Sequence, residues 1–420
     1  MKAILALAAV FLAATTLPAQ HARRAYPEND LLARPGIRIT VGHSGADLNG
    51  TDNRVLQAAV DYVGQLGGGV VEIGPGEYLM RDSLHLRSGV TIRGSGKTTV
   101  LKKAPSKRSL LAADGDFGEE AITVADPDQF NIGDGVYIAT KRVHGFHTIC
   151  ATVLNKRDNY VTLSRPLNAD CMMADAAFAA TVFPVISAYH VRDFRIEKLA
   201  IHGDRESNEL IDGCRGAGIF FYQGDAGVID GVIVRYYNGD GISFQQSNDV
   251  KVLNSIVENC AGGGIHPGSG SQRSVVADCL VRGNGRDGFF FCWRVRDAVV
   301  ERNLFADNGG VGISIGHKDS DNLIRENTVK GNQSGGVHWR RETEPMSGHR
   351  NRLFGNTVLN NGRFQLFIDG ETEGTVIRSN RIESAVAEIP AIRIGAGTRS
   401  VTIEKNQIKA DRELVDERKQ

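Results

Sequence analysis

The sequence predicts an all-β protein, a right-handed parallel β-helix with an N-terminal capping helix and a small β insert. Three observations predict it: a repeat of constant period, corner residues that recur with it, and apolar residues that alternate between the corners. Glycine followed by a short apolar strand recurs at intervals of 23, 23, 24, 24 and 24 residues, at Gly218, Gly241, Gly264, Gly288, Gly312 and Gly336. A fixed period of this length is typical of stacked repeats that contact only their neighbours.

Asparagine marks two further slots of the repeat. One column follows the Val/Ile-rich strands and comprises Asn254, Asp278, Asn303, Asn327, Asn356, Asn380 and Asn406. The other comprises Asn238, Asn284, Asn308, Asn332 and Asn361, with Cys260 in the same slot. Asn and Gly tolerate left-handed backbone and therefore suit sharp corners, and stacked amides can hydrogen-bond along the coil axis. A leucine-rich repeat has a similar period, but its leucine spacing is missing here.

The segment before the repeat is typical of a cap. Residues 47–63 (DLNGTDNRVLQAAVDYV) place apolar residues at helical spacing, and GGGVVEIGPGEY (67–78) and LHLRSGVTIRGSG (84–96) follow. This stretch resembles the N-terminal region of the pectate-lyase superfamily, and the resemblance spans about residues 40–105 and 184–411. It implies an amphipathic helix over the open end of the first coil, which would otherwise expose unpaired strand edges.

The period divides the chain into five parts. We expect a signal peptide at 1–22, the cap and first coils at 23–105, a β-rich insert at 106–183, the main β-helix at 184–411 and a charged tail at 412–420. Lys2, the apolar run 3–17 and small residues at 19–22 form the pattern of an export signal, so a secreted or periplasmic location is expected. No later stretch is apolar enough to span a membrane. The tail is expected to be a frayed end or a short helix.

Composition excludes a strong overall field, since 49 basic residues balance 49 acidic ones. Neither nucleic acid nor a membrane surface is therefore an expected partner, and any charged ligand must be bound through local clustering. The six cysteines have no CxxC spacing typical of zinc, and Cys150 with Cys171 is a candidate bridge inside the insert. No Asp/Glu cluster suited to Ca²⁺ marks the exposed strands, so no cofactor or metal is predicted.

Alternation assigns the two faces of the strand that follows each corner glycine. Inward positions are apolar: Phe221, Phe244, Pro267, Phe291, Ile315, Trp339, Ile368 and Ile394. The first outward column is Phe220, Ser243, His266, Phe290, Ser314, His338, Phe367 and Arg393. The second is Tyr222, Gln245, Gly268, Cys292, Gly316, Arg340 and Asp369. Because coils stack about 4.8 Å apart, one sugar chain can touch several members of a column.

Cations gather on one side of the middle coils: His266, Arg294, His317, Lys318, His338, Arg340 and Arg341. Phe290 and Trp293 lie beside them, and Gly268 and Gly316 are expected to leave room for a ligand. The pattern predicts a groove for an acidic polysaccharide or oligosaccharide. The alternative is that these cations are solvated loop residues paired with Asp319, Asp321, Glu342 and Glu344. The long loop 204–215, with Arg205, Glu209 and Asp212, is a candidate overhang, and residues 145–148 form either a substrate-approaching or a plain surface loop.

Such a groove suits β-elimination or C5-epimerisation of a uronate, in which cations neutralise the carboxylate while a base removes the C5 proton. The candidate catalytic residues are His317, His266, His338, Arg340 and Lys318. The candidate substrate-binding residues are Arg294, Arg341, Trp293, Phe290, Gln245, Tyr222, Glu342 and Asp369.

Two alternatives stay open: a glycoside hydrolase of the same fold and a non-catalytic carbohydrate-binding protein. Residues 238–242 (NGDGI) resemble the first acidic motif of β-helix polygalacturonases through Asp240, and 312–316 (GISIG) resemble the sequence near their catalytic histidine. Where those enzymes carry paired aspartates this chain has AGGGI (261–265), and the preceding histidine is missing. Asp240 and Asp287 precede corner glycines and are interpreted as turn formers. The hydrolase needs two positioned carboxylates.

Overall fold

The computed structural model describes residues 36–142 and 145–419. The expected signal peptide at 1–22 lies outside the described residues. Ile37–Gln420 form one compact unit, a right-handed parallel β-helix as predicted. No helix in the described part of the chain is long and apolar enough to cross a membrane.

Each full coil contributes one short strand to each of three parallel sheets. Sheet 1 contains Ile37–Gly42, Leu48–Asn49, Gly69–Ile73, Val90–Arg93, Arg195–Glu197, Val228–Asp230, Lys251–Leu253, Val275–Ala277, Val299–Glu301, Leu323–Arg325, Arg352–Phe354, Thr375–Arg378 and Val401–Glu404. Sheet 2 contains Gly76–Met80, Thr99–Lys103, Ala200–His202, Ile233–Arg235, Ile256–Glu258, Leu280–Arg282, Leu304–Ala306, Thr328–Lys330, Thr357–Leu359, Arg381–Glu383 and Gln407–Lys409. Sheet 3 contains Leu84–His85, Ile186–Tyr189, Ala217–Tyr222, Asp240–Gln245, Ile265–Gly268, Phe289–Phe290, Val311–Ile315, Gly335–Trp339, Leu366–Ile368, Ile392–Ile394 and Leu414–Asp416.

The predicted register of sheet 3 is confirmed. Phe220 pairs with Ser243, Ser243 with His266, and Ser314 with His338, so the first outward column is continuous. The inward residues, including Trp339, which is 1% exposed, belong to the buried core of the coils. The outward column therefore forms one face on which side chains of neighbouring coils meet.

Asparagine ladders run along the coil axis. In one ladder each Nδ2 donates to the Oδ1 of the next coil at 3.0 Å, through Asn303, Asn327, Asn356, Asn380 and Asn406. The second joins Asn284, Asn308, Asn332 and Asn361. The expected members Asn254 and Asp278 were assigned wrongly, because they occupy left-handed corners. The inward slot on their coils belongs to the next residues, Ser255 and Cys279.

Helix α1, Asn53–Gln65, covers the first coil as predicted. The Asp52 carboxylate accepts the Arg54 N–H at 3.0 Å and caps its N-terminus. Its apolar stripe, Leu56, Ala59, Val60 and Val63, is fully buried. At the other end the charged tail does not fray, since Leu414–Asp416 pair with Ile392–Ile394 as a last strand of sheet 3 and a 3-10 turn, Glu417–Lys419, follows.

The β insert is a six-stranded antiparallel sheet with its own core. Its strands, in spatial order, are Arg108–Leu110, Phe178–Ala180, Gly135–Ala139, Ile149–Arg157, Tyr160–Leu163 and Ala121–Thr123. The chain leaves the coils after Thr99–Lys103 in sheet 2 and returns at Ile186–Tyr189 in sheet 3. The insert is therefore attached at the corner that leads into sheet 3.

Candidate functional site on the outward face of sheet 3

Two segments cover part of sheet 3. In the loop 204–215, the Gly213 carbonyl accepts the Ser243 hydroxyl at 2.6 Å, so the loop lies on the outward column. From the insert, the Phe146 carbonyl accepts the Arg215 Nε–H at 3.0 Å. The Arg215 guanidinium lies 5.2 Å from the Phe146 ring and 5.3 Å from the Tyr222 ring. The segment 145–148 thus faces the groove, and so does the end of the loop.

Arg340 is the central cation of this face. Its Nη1 donates to Ser314 Oγ at 2.7 Å and its Nη2 to the Phe291 carbonyl at 2.9 Å. The guanidinium also lies 4.5 Å from the Phe290 ring. Its nearest carboxylate, the buried Asp319, is 3.4 Å away. These contacts hold the guanidinium in one position through neutral groups and one long ion pair.

His317 lies beside Arg340 at the corner that ends its strand. Arg340 Nη2 approaches its Nδ1 at 3.4 Å, and its Nε2 lies 3.1 Å from Glu342 Oε1. The Trp293 ring lies 5.4 Å from the imidazole. Burial and Arg340 lower the pKa of His317, and Glu342 opposes them. The contacts fit a neutral imidazole whose Nε2–H donates to Glu342 and whose Nδ1 faces the guanidinium.

The corner that follows the strands of sheet 3 has left-handed backbone conformation. The residue after the strand has positive φ on five successive coils: Gln223, Gln246, Ser269, Trp293 and His317. On the last two, Arg294 and Lys318 are also left-handed, with φ of 64° and 66°. Such conformations are uncommon for side-chain-bearing residues and are held by the surrounding structure. The corner therefore sets Trp293 and His317 next to each other at the edge of sheet 3.

The expectation that Gly268 and Gly316 leave room for a ligand was wrong. A Cβ at Gly316 would lie 2.7 Å from Arg340 Nε, and one at Gly268 would lie 2.5 Å from Gln245 Oε1. Each glycine instead receives a side chain from a neighbouring coil. Room for a ligand exists elsewhere, in a cavity of about 690 Å³ beside the loop 204–215.

His266 belongs to a buried polar cluster in that cavity. Its Nδ1 lies 2.7 Å from Asp240 Oδ2, and Asp240 Oδ1 accepts the Gly263 N–H at 2.6 Å. The Sγ atoms of Cys214 and Cys292 and a ring nitrogen of His266 all lie within 4.8 Å of one another. Cys214 lowers the pKa of the Cys292 thiol, with a further contribution from His266 and against the effect of burial.

Asp287 and Arg286 line the same cavity from a later coil. Asp287 Oδ1 accepts the Val311 N–H at 2.8 Å, and burial raises the pKa of this carboxyl group. Asp287 lies outside the strands, as interpreted from the sequence, whereas Asp240 is the first residue of the strand Asp240–Gln245 and was interpreted wrongly as a turn former; both line the cavity. Phe290 connects this cavity with the Arg340 cluster, because its ring contacts both His266, at 5.1 Å, and Arg340.

The other predicted residues lie around these two clusters. His338 stacks on Phe367 at 5.3 Å, its Nε2 is buried without a partner, and burial and Arg340 lower its pKa to about 4. Gln245 is buried and donates to Ser243 Oγ. Tyr222 lines a second cavity, of about 450 Å³, under the insert. Asp369 accepts the Gly370 N–H.

Arg294, Lys318 and Arg341 lie at the rim of the Arg340 cluster. Arg294 lies over Trp293, at 5.9 Å, and none of the three forms an ion pair with a described residue. The alternative pairing expected from the sequence is therefore limited to His317 with Glu342 and Arg340 with Asp319. Glu344 pairs with His349, and Asp321 with Arg296 and Arg350.

Sequence reasoning missed the cluster around His266. Cys214 lies in the loop outside the period, so no column assigns it a neighbour. Cys292 and His266 do occupy outward slots on successive coils, and this was the available signal. Arg205 and Glu209 of the same loop point away from the groove, to the Asn259 carbonyl and to Arg108. All six cysteines, including the candidate pair Cys150 and Cys171, are free.

Comparison with known proteins agrees with this architecture. Residues 199–344 match the family model described as the right handed beta helix region. The A-module of mannuronan C-5 epimerase AlgE4 from Azotobacter vinelandii is 16% identical, with a TM-score of 0.56 over 87% of this chain and 92% of its own. A polygalacturonase from Erwinia carotovora ssp. carotovora is 12% identical, with a TM-score of 0.54 over 90% and 95%. None of the curated proteins compared by sequence matches this chain. At these identities the likeness establishes the fold.

Proposed function

Since the chain is a right-handed parallel β-helix with the architecture of pectin-lyase-like proteins, we propose that it is an enzyme acting on an acidic, uronate-containing polysaccharide. The proposed step removes the C5 proton of a uronate and leads to β-elimination or C5-epimerisation. The observation that carries this proposal is the contact between Arg340, an anchored guanidinium, and His317, an imidazole of lowered pKa, at the surface of the groove.

Charge favours an anionic ligand at this place. Arg294, Lys318 and Arg341 directly follow Trp293, His317 and Arg340 in the chain, and none of the three has an ion-pair partner among the described residues. Elsewhere on the coils, arginines pair with acids of the preceding coil, as Arg282 does with Glu258 and Arg302 with Asp278. Unpaired cations beside the aromatic rings of Trp293 and Phe290 suit a sugar carboxylate and its ring.

The proposed step uses His317 as the base. A uronate carboxylate bound by Arg340 neutralises the guanidinium and leaves His317 Nδ1 free to accept the C5 proton. The C–H electron pair moves into the carboxylate, and the cation stabilises the resulting enolate. Glu342 then stabilises the imidazolium through Nε2–H, as a carboxylate orients histidine in other catalytic sites. In elimination the C4–O bond then breaks and the leaving oxygen takes a proton from the His317 imidazolium. In epimerisation a proton returns to C5 from the opposite face.

The remaining candidates have supporting roles in this proposal. Lys318, next to the base, is the candidate donor of the returning proton. The buried Nε2 atoms of His338 and His266 have no hydrogen-bond partner of ordinary geometry, and we assign these two residues no proton transfer in this step. Among structures that share this fold, the Azotobacter vinelandii protein is named a mannuronan C-5 epimerase, which is one of the two outcomes proposed. We propose secretion or periplasmic location from the pattern of residues 1–22.

A second candidate function is hydrolysis, favoured by Asp287. Its raised pKa suits a general acid, and Asp240 supplies a carboxylate in the same cavity. Two carboxyl groups that flank one glycosidic bond are what glycosidases require. This reaction releases new reducing ends and leaves the C5 hydrogen in place.

The experiment incubates the protein with a panel of polyuronides and glycosaminoglycans in D₂O and follows the products by proton NMR. Elimination gives an unsaturated sugar, epimerisation gives deuterium at C5 of the inverted sugar, and hydrolysis gives reducing ends alone. We expect C5 chemistry that falls about 10²–10⁴-fold in His317→Gln, because a general base is lost. The matched control His43→Gln, an exposed residue whose ring contacts Glu77 and Tyr78 in the first coils, should retain activity. Reducing ends without C5 chemistry would contradict the proposal.

A further inference from the structure

Three metal-binding side chains converge where the loop 204–215 lies on sheet 3. Cys214 comes from the loop, and His266 and Cys292 come from successive coils. Their donor atoms all lie within 4.8 Å of one another. His266 and Cys292 are both buried, at 5% exposure each, and Cys214 is half-buried. These side chains are distinct from the Arg340–His317 pair used in the proposed reaction.

The orientation of His266 is that of a metal ligand. Its Nδ1 lies 2.7 Å from Asp240 Oδ2, so the carboxylate accepts the Nδ1–H and fixes the ring. Its Nε2 is buried and makes no hydrogen bond of ordinary geometry, and the Cys292 thiol is the neighbour with which the ring interacts besides Asp240. Histidines that bind metals commonly donate their other ring N–H to a carboxylate, which sets the tautomer and the ring orientation. Here Asp240 would provide that support, and Nε2 is the nitrogen left for a ligand.

We propose that Cys214, His266 and Cys292 bind one Zn²⁺ ion and leave a fourth position next to the cavity of about 690 Å³, which Cys214 and His266 line. Two sulfurs and one imidazole nitrogen suit zinc, whereas Ca²⁺ and Mg²⁺ require oxygen ligands. Tetrahedral zinc with bonds of about 2.0–2.3 Å needs donors roughly 3.5–3.8 Å apart. The donor atoms therefore have to approach one another by about 1.3 Å at most.

Three protein ligands and an open position are the arrangement of catalytic zinc sites. The cavity at that position is lined by Asp212, Asp240, Arg286 and Asp287, so a bound water or a sugar hydroxyl would meet charged groups there. The proposal concerns metal binding and does not depend on the C5 chemistry proposed above.

The experiment measures zinc in the full chain, prepared reduced and metal-free and then titrated with Zn²⁺ against a chromogenic competitor. We expect one zinc per chain, and a loss of affinity of at least about 100-fold in Cys214→Ser and Cys292→Ser. Cys279→Ser is the matched control, because Cys279 is buried in the core and its Sγ contacts the carbonyls of Val252 and Ala277, outside the three-residue cluster. Circular dichroism verifies that each variant is folded.

Two further measurements separate binding at this cluster from other binding. Co²⁺ should give a thiolate charge-transfer band that disappears in Cys292→Ser and persists in Cys279→Ser. Asp240→Asn should weaken zinc about 10–100-fold, the usual effect of removing the carboxylate behind a histidine ligand. Unchanged zinc affinity in Cys292→Ser would overturn the proposal. The proposal would also be overturned if the isolated protein contained a Cys214–Cys292 disulfide and still failed to bind zinc once that disulfide was reduced. Because no substrate is present, failure here says nothing against the C5 reaction.

Discussion

Gly316→Ala tests whether the position of Arg340 determines activity. Gly316 has no positive φ, so its backbone accepts alanine. The new Cβ would lie 2.7 Å from Arg340 Nε and 2.9 Å from its Cζ, inside van der Waals contact. All of the nearest atoms belong to the end of one flexible side chain, so the guanidinium will move rather than the coil.

The displacement breaks two charge-assisted hydrogen bonds, to Ser314 Oγ at 2.7 Å and to the Phe291 carbonyl at 2.9 Å. Each of these hydrogen bonds contributes about 1.5–3 kcal/mol to stability while the guanidinium is held in place. A displaced guanidinium forms hydrogen bonds to water instead, which offsets part of that loss. We therefore expect the free energy of unfolding to fall by only about 1–3 kcal/mol. The rate of C5 deuterium exchange should fall about 10²–10³-fold, as when one stabilising group for a developing anion is removed.

A double-mutant cycle gives the decisive comparison. If Gly316→Ala acts through Arg340, it will not lower the exchange rate further when Arg340→Ala is already present. Urea denaturation of all four proteins measures stability in parallel. Full activity in Gly316→Ala, or equal losses with and without Arg340, would refute the assignment.

Three other perturbations have defined outcomes. Glu342→Gln removes the group that raises the pKa of His317, so the acidic limb of the pH–rate profile should move to lower pH; an upward shift would contradict the pairing. Burial lowers the pKa of Lys103 from 10.5 to about 7. Between pH 7 and 10.5 the unfolded chain therefore binds one proton more than the folded chain, and the free energy of unfolding should rise with pH across that window. Lys103→Met should remove this contribution, so that the free energy of unfolding rises less steeply with pH. A slope equal to that of the unmodified protein would contradict the lowered pKa of Lys103. Asn327→Ala leaves buried amide-ladder groups unpaired and should cost about 2–5 kcal/mol in urea denaturation. The exposed corner control Asn254→Ala, which places alanine at a left-handed φ and removes a hydrogen bond to Asp230, should cost about 1 kcal/mol, and equal losses would show that the ladder adds no stability of its own.

The fold could be predicted because the corners and the apolar alternation recur with one period. Inward Phe and Ile positions, the cap helix and the insert all follow from that period and its interruptions. The slot of Asn254 and Asp278 was assigned wrongly, since the inward position at these two corners is taken by the next residue, Ser255 or Cys279, and not by an asparagine. Spacing does not tell which of two neighbours points inward when both can hydrogen-bond.

The site could be predicted only where its residues occupy equivalent or adjacent positions of the repeat on neighbouring coils. Arg340, His317 and Trp293 meet because they occupy adjacent slots on neighbouring coils. The space at Gly316 was interpreted as room for a ligand. The repeat gives the position of each residue but not the direction of a long side chain, and the Arg340 side chain fills that space. Cys214 escaped prediction for another reason: its loop has no register against the sheet.

The place of the insert has a consequence for the order in which the chain assembles. Val100 pairs with Ala200, a separation of about one hundred residues, whereas later coils pair residues 23–29 apart. Closing the longer stretch costs roughly 1 kcal/mol more chain entropy than closing an ordinary coil. We expect the coils after residue 184 to form first and the first coils with helix α1 to dock last, once the insert has folded and shortened the gap. The amides of Val70–Val100 should then be the last to gain protection in pulsed hydrogen exchange during refolding.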